Sequence, residues 1–182
     1  MRWYYGWNIV GVALVFQAIV FGLTFYCFTF WVVPWMDEFK ISRGLIMSGY
    51  TAMAFVIGAL MPFAGRALDT ASIRLLVCLG TLSFAGGLIM VSVASAPWHI
   101  LAAYALLIMP GVAFAGTLPA QTLAVKWFRG RRGAAIGIVA VGTSLGGVIT
   151  PPLVAFLFDA VGWRSANLIL AALSVTIILP LG

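Results

Sequence analysis

Residues 6–33 read GWNIVGVALVFQAIVFGLTFYCFTFWVV, a stretch without a single charged side chain. A helix crossing a hydrocarbon core of about 30 Å needs about 20 apolar residues, so this stretch is long enough to span a bilayer. It is too long for the ~7–15-residue apolar region of a signal peptide, and no small-residue cleavage site closes it. It therefore reads as a retained membrane anchor. Outward from it, charges and turn formers divide the chain into further apolar runs at about 42–64, 73–95, 98–125, 133–158 and 163–182. The sequence thus predicts six transmembrane helices with almost nothing left for a domain outside the membrane. Strands of a membrane barrel are excluded, because they alternate polar and apolar residues over about ten positions.

Composition agrees. Of 182 residues, 64% are hydrophobic and 8% charged, against roughly 45–50% and about 25% in soluble domains. A globule of this size has no interior large enough to hide that much apolar surface from water. An ordinary cytosolic enzyme, a disordered chain and a nucleic-acid-binding domain are excluded. The net charge of +6 comes from ten Lys and Arg spread thinly between apolar runs, which make no basic groove for a nucleic acid. They follow the positive-inside rule instead. With a cytoplasmic N-terminus, Arg2, Arg66, Arg74, Lys126, Arg129, Arg131 and Arg132 lie inside, and Lys40, Arg43 and Arg164 outside. Trp7, Trp35, Trp98, Trp127 and Trp163 fall at run ends, where the indole anchors at a membrane interface.

The chain also repeats. Arg43-Gly44 recurs as Arg132-Gly133, and Asp69-x4-Arg74 recurs as Asp159-x4-Arg164, at nearly the same offset. In each copy the Arg-Gly opens an apolar run and the Asp-x4-Arg follows it. The unit is three helices, and an odd number of spans inverts the second copy relative to the first. The fold class is therefore an all-α polytopic membrane protein, six helices as two inverted three-helix repeats.

Gly65-Arg66-Ala67-Leu68-Asp69-Thr70-Ala71-Ser72-Ile73-Arg74 resembles the loop between helices 2 and 3 of major facilitator superfamily transporters, which reads Gly-x-Leu-Ala-Asp-Arg-x-Gly-Arg-Arg. Gly65, Asp69 and Arg74 match; Thr70, Ser72 and Ile73 depart. Tyr5-Gly6-Trp7, Trp127-Phe128 with Arg131-Arg132-Gly133, the run from Gly142 to Gly147, and Gly162-Trp163-Arg164 are similar to the monocarboxylate porter and oxalate/formate antiporter branch. The resemblance implies secondary active transport of a small organic anion such as a monocarboxylate, with a coupling proton as a further partner and no cofactor. It implies twelve helices in two halves, of which this chain resembles the N-terminal one. The C-terminal half is then missing or supplied by a second half-size chain. The bacterial inner membrane is the expected location. The other class of function consistent with the bundle is a non-transporting membrane subunit.

Candidate residues follow. No charge lies at mid-membrane depth in any run, which argues against a self-contained proton relay. At 100° per residue Gln17, Phe21, Thr24, Phe28 and Trp31 form one stripe of helix 1, and Gly22, Tyr26 and Thr29 the other. Gln17 favours the first stripe as cavity-lining, because an amide facing lipid is costly. Tyr26 favours the second, because it stands where monocarboxylate porters resemble one another in carrying a Lys. Both alternatives stay open. In helix 4, Pro110 and Pro119 permit bending, and Thr117 and Gln121 are further cavity candidates. Gly133-x3-Gly137 and Gly142-x3-Gly146 allow close helix packing. Gly65, Asp69, Arg74, Arg131 and Arg132 are candidates for a gate, with Asp69 at a helix N-terminus latching onto the 126–132 cations. Asp159 and Arg164 are their repeat counterparts. One His, two Cys and no Ser-His, HExxH or phosphate-cradling pattern leave neither a metal site nor an enzyme.

Overall fold

The computed structural model describes residues 6–128 and 132–181. Arg2, Tyr5, Arg129, Arg131 and Gly182 lie outside the described residues. The described chain is all α-helical. Helix α1 is Gly6–Phe39, α2 is Arg43–Thr70, α3 is Ile73–Ser92 and α4 is Pro97–Trp127. A last stretch, Arg132–Leu181, is broken at Gly162 into α5 (132–161) and α6 (163–181). An unbroken helix of that length would be roughly 75 Å long at 1.5 Å per residue, far beyond one bilayer. Gly162 has φ 75° and ψ 163°, a conformation that side chains resist and glycine accepts. Lys40 ends α1 in the left-handed region, with φ 52° and ψ 38°. Ser42 then caps α2 by accepting the Leu45 N–H at 3.3 Å.

Two glycine seams hold the bundle. Along the first, α1 and α5 run parallel with backbones in contact. A Cβ on Gly142 would stand 2.5 Å from the Leu14 carbonyl oxygen, and one on Gly146 2.4 Å from that of Ala18. Gly22 meets the Thr150 side chain in the same register, 2.7 Å from where its Cβ would be. Gly133 and Gly137 take no part, since nothing lies within 4 Å of either. Close packing thus falls to the second Gly-x3-Gly pair alone. The second seam joins α3 to α4 in antiparallel fashion. Gly80 abuts the backbone of Phe114 and Ala115, and Gly111 that of Phe84. Ser83 adds a hydrogen bond to the Leu107 carbonyl at 2.8 Å.

Phe16, Trp31, Phe84, Ile108, Met109 and Leu170 fill the centre and are essentially inaccessible. The outer face is as apolar as the inside: Phe55 is 76% exposed, and Leu106 and Val148 70% each. Water would penalise such a surface, whereas a bilayer solvates it. Helix α2 is the loosest, burying only Ile46, Met53, Ala64 and Leu68.

The ends of the bundle are distinct. The ends of α2 and α4 meet where the Lys126 ammonium donates to the Leu68 carbonyl at 3.2 Å. The ends of α1 and α3 and the start of α6 meet around Arg164, at the other end. The two Asp-x4-Arg turns are therefore on opposite faces. A membrane-impermeant maleimide should label Thr70→Cys and Asp159→Cys in sealed vesicles from opposite sides. Labelling of both from one side would refute the antiparallel order.

Candidate functional site

Continuous helices satisfy every internal backbone group, so a break inside a membrane needs a reason. Two helices are broken, α1 and α4, the first of each three-helix repeat. In α1 the segment Gly22–Tyr26 widens to a π-turn, closed by Cys27 N–H donating to the Gly22 carbonyl at 3.1 Å. In α4 the segment Tyr104–Ile108 does the same, and Gly116 departs from helical geometry at φ −101°, ψ −130°. Pro110 and Pro119 lack the N–H groups that the carbonyls of Leu106 and Ala115 would otherwise accept, which explains the α4 breaks. In α1 the wide turn seats Gly22 against Thr150 of α5. Helix α1 is thus interrupted near its middle, and α4 about a third and two thirds of the way along.

Next to these breaks lies a cavity of about 90 Å³ between α1, α2 and α4. Phe28, Trp35, Tyr50 and Tyr104 contribute its aromatic wall. Phe28 is 4.1 Å from Tyr50, centroid to centroid, and 5.8 Å edge-to-face from Tyr104. Trp35 packs edge-on to Phe28 at 5.8 Å and to Tyr104 at 6.2 Å. Trp35 was expected at the membrane interface; with 2% exposure it is core, held there by this ring cluster. Among the described residues its indole nitrogen has no hydrogen-bond partner.

The two stripes of α1 separate in part. Gln17, Thr24, Phe28 and Trp31 are buried and Phe21 half-buried, while Tyr26 and Thr29 are exposed and Gly22 is buried. Gln17 donates its amide N–H to the Thr143 hydroxyl of α5, leaving its carbonyl oxygen unpartnered. Thr24 returns its hydroxyl to the Val20 carbonyl at 2.7 Å. Tyr26 lies across Gly147, whose Cβ would be 3.1 Å from the phenol ring. Thr117 and Gln121 are half-buried in α4, where that helix packs on α1 through Ala120, Ala124, Val10 and Ala13. Among the described residues no hydrogen bond joins Gln17 to Tyr26 or to Gln121. Among the described residues the buried polar side chains are Gln17, Thr24, Thr81, Ser92, Thr150, Asn167 and Ser174, none of them charged.

The gate residues are placed differently from expectation. Gly65 to Thr70 form the last turns of α2 rather than a loop, because no Gly or Pro follows Gly65 to stop the helix. Asp69 accordingly stands at a helix C-terminus, not an N-terminus, and is exposed. That end of the helix dipole repels a carboxylate and attracts a cation, and Lys126 supplies the cation. Among the described residues Asp69, Arg74 and Asp159 form no ion pair. Arg132 donates its Nε–H to the Phe128 carbonyl at 3.2 Å. Arg164 pairs with Glu38 instead of Asp159. It also donates to the Ser92 and Ala94 carbonyls at 2.6 and 2.8 Å, satisfying the end of α3. The Trp163 indole stacks beneath its guanidinium and donates to Glu38 at 3.1 Å.

A bundle of long apolar helices with an apolar outer face defines a class, the polytopic membrane proteins. The family model described as Major Facilitator Superfamily matches residues 14–181, and the chain belongs to that superfamily. An MFS-type transporter of Aspergillus fumigatus, hasB, is 28% identical over 88% of this chain and 36% of its own length. Monocarboxylate transporter 14 of Mus musculus is 33% identical over 80% of this chain and 28% of its own. An agnestins efflux protein of Paecilomyces divaricatus is 34% identical over 72% and 28% respectively. The chain thus spans about a third or less of the length of the relatives it matches.

Glu38, Tyr50, Tyr104 and Thr143 escaped the sequence reading. Tyr50 and Tyr104 carried a signal, each being a phenol several residues inside an apolar run. Glu38 carried none, since its partner is distant in sequence. Arg164→Ala should destabilise the protein by about 1–3 kcal/mol, through the carbonyls it leaves bare. Glu38→Ala should cost under about 1 kcal/mol, because the ion pair itself is exposed. Thermal unfolding in detergent checks the order, and equal losses would contradict it.

Proposed function

We propose that this chain forms one six-helix half of a secondary active transporter, moving a small organic anion such as a monocarboxylate by alternating access. The observation that carries the reading is the paired interruption of α1 and α4. Breaks in the first helix of each of two repeats point to a substrate site between them, with rocking about that site. The name of the mouse relative, monocarboxylate transporter 14, supports the anion; the efflux protein among the relatives supports the wider class of small organic solutes. With no buried charge among the described residues, the anion's countercharge and any coupling proton belong to the remaining half, within a longer chain or a second copy.

In this reading Gln17, Thr24, Phe28, Thr117 and Gln121 line the moving core beside Tyr26. Lys126 on the Leu68 carbonyl forms the cytoplasmic latch, with Gly65, Asp69, Arg74, Arg131 and Arg132 the further gate residues. The excess of basic residues in the inner loops supports a cytoplasmic N-terminus. A bacterial inner membrane gains no support from fungal and mammalian relatives. The intact protein in sealed vesicles should accumulate a labelled small carboxylate under an imposed proton gradient without ATP. Lys126→Met should slow uptake severalfold while leaving insertion unchanged. Absence of uptake of any labelled carboxylate under any gradient would replace this reading with a non-transporting membrane subunit.

A further inference from the structure

We propose that Phe28, Trp35, Tyr50 and Tyr104 form a cage for the uncharged ring of the transported molecule, so that the substrate class is a small solute bearing a flat aromatic group. This rests on the transporter reading and narrows it. Three observations converge. The cavity of about 90 Å³ is roughly the space of a single ring, and its lining carries no charged side chain. A bare carboxylate there would lose its hydration without a cation to replace it, so the cavity takes the neutral part of the solute.

The wall geometry favours a π-system over a saturated chain. Phe28, Trp35 and Tyr104 stand at 77°, 90° and 87° to one another. A flat ring entering such a corner meets both faces and edges, the arrangement that aromatic quadrupoles prefer. An alkyl chain gains only dispersion. The hydroxyl of Tyr104, a residue 5% exposed, makes no hydrogen bond among the described residues. Buried phenols ordinarily find a partner, and a carbonyl or ether on the ring would be one. The cavity also abuts the α4 π-turn, since Tyr104 is its first residue. Filling the cage therefore bears directly on one of the two interrupted helices.

The test is equilibrium binding of tritiated acetophenone, a neutral ring with one acceptor, to the intact protein in lipid nanodiscs. Binding should weaken about fivefold in Tyr104→Phe, which keeps the ring and removes the donor. It should weaken about tenfold in Tyr50→Ala, which opens the wall. Gly49→Ala supplies a milder probe: its Cβ would stand 2.8 Å from the Leu101 side chain, press it into the cavity and lower affinity. Binding indifferent to all three variants overturns the cage. So does cross-linking of a photoreactive acyl-chain phospholipid to Tyr104 that saturating acetophenone leaves undiminished. Failure of vesicle uptake with the binding pattern intact would overturn the transporter reading alone. Normal uptake with indifferent binding would overturn the cage alone.

Discussion

The rest of the structure depends on how closely α1 approaches α5. Lipid gives helices no hydrophobic reason to associate, so contact must come from packing and from polar groups that find each other. Gly142 and Gly146 remove side chains where the carbonyls of Leu14 and Ala18 need the room. At that distance Gln17 reaches Thr143, and the Cys27 thiol reaches the Thr150 hydroxyl at 3.2 Å. Each bond joins residues more than a hundred positions apart, linking the first repeat to the second.

The functional features are downstream of that seam. Gly22 fits against Thr150 because the π-turn widens α1 at that level. The same turn sets the direction of the helix beyond it, which carries Phe28 and Trp35 toward Tyr50 and Tyr104. The far end of α1 then delivers Glu38 to Arg164. Among the described residues Arg164 ties three helix ends together at one face, and Lys126 joins two at the other.

Much of this was legible in the sequence, because the membrane reduces folding to a question of apolar run length. The helical class and the inverted repeat follow from run lengths and from matched Arg-Gly and Asp-x4-Arg pairs. The stripe of Gln17, Thr24, Phe28 and Trp31 was likewise visible as helical periodicity. The gate was misread for a local reason: charge marks the end of an apolar run, but a helix continues past it, carrying Asp69 into the last turn of α2. Trp35 was misread because an indole near a run end resembles an interfacial anchor until its ring partners are known. Which Gly-x3-Gly pair packs, and that Arg164 chooses Glu38 over Asp159, depend on tertiary neighbours that no spacing encodes.

The central claim is that backbone contact between α1 and α5 organises the bundle. Gly146→Leu and Gly137→Leu introduce the same side chain into the same helix, about two and a half turns apart. Comparing the folded, monodisperse fraction and the thermal midpoint of the intact protein in mild detergent separates them. Gly146→Leu should abolish the folded fraction, and Gly137→Leu, with nothing within 4 Å, should match the parent. Equal behaviour of the two variants would contradict the account.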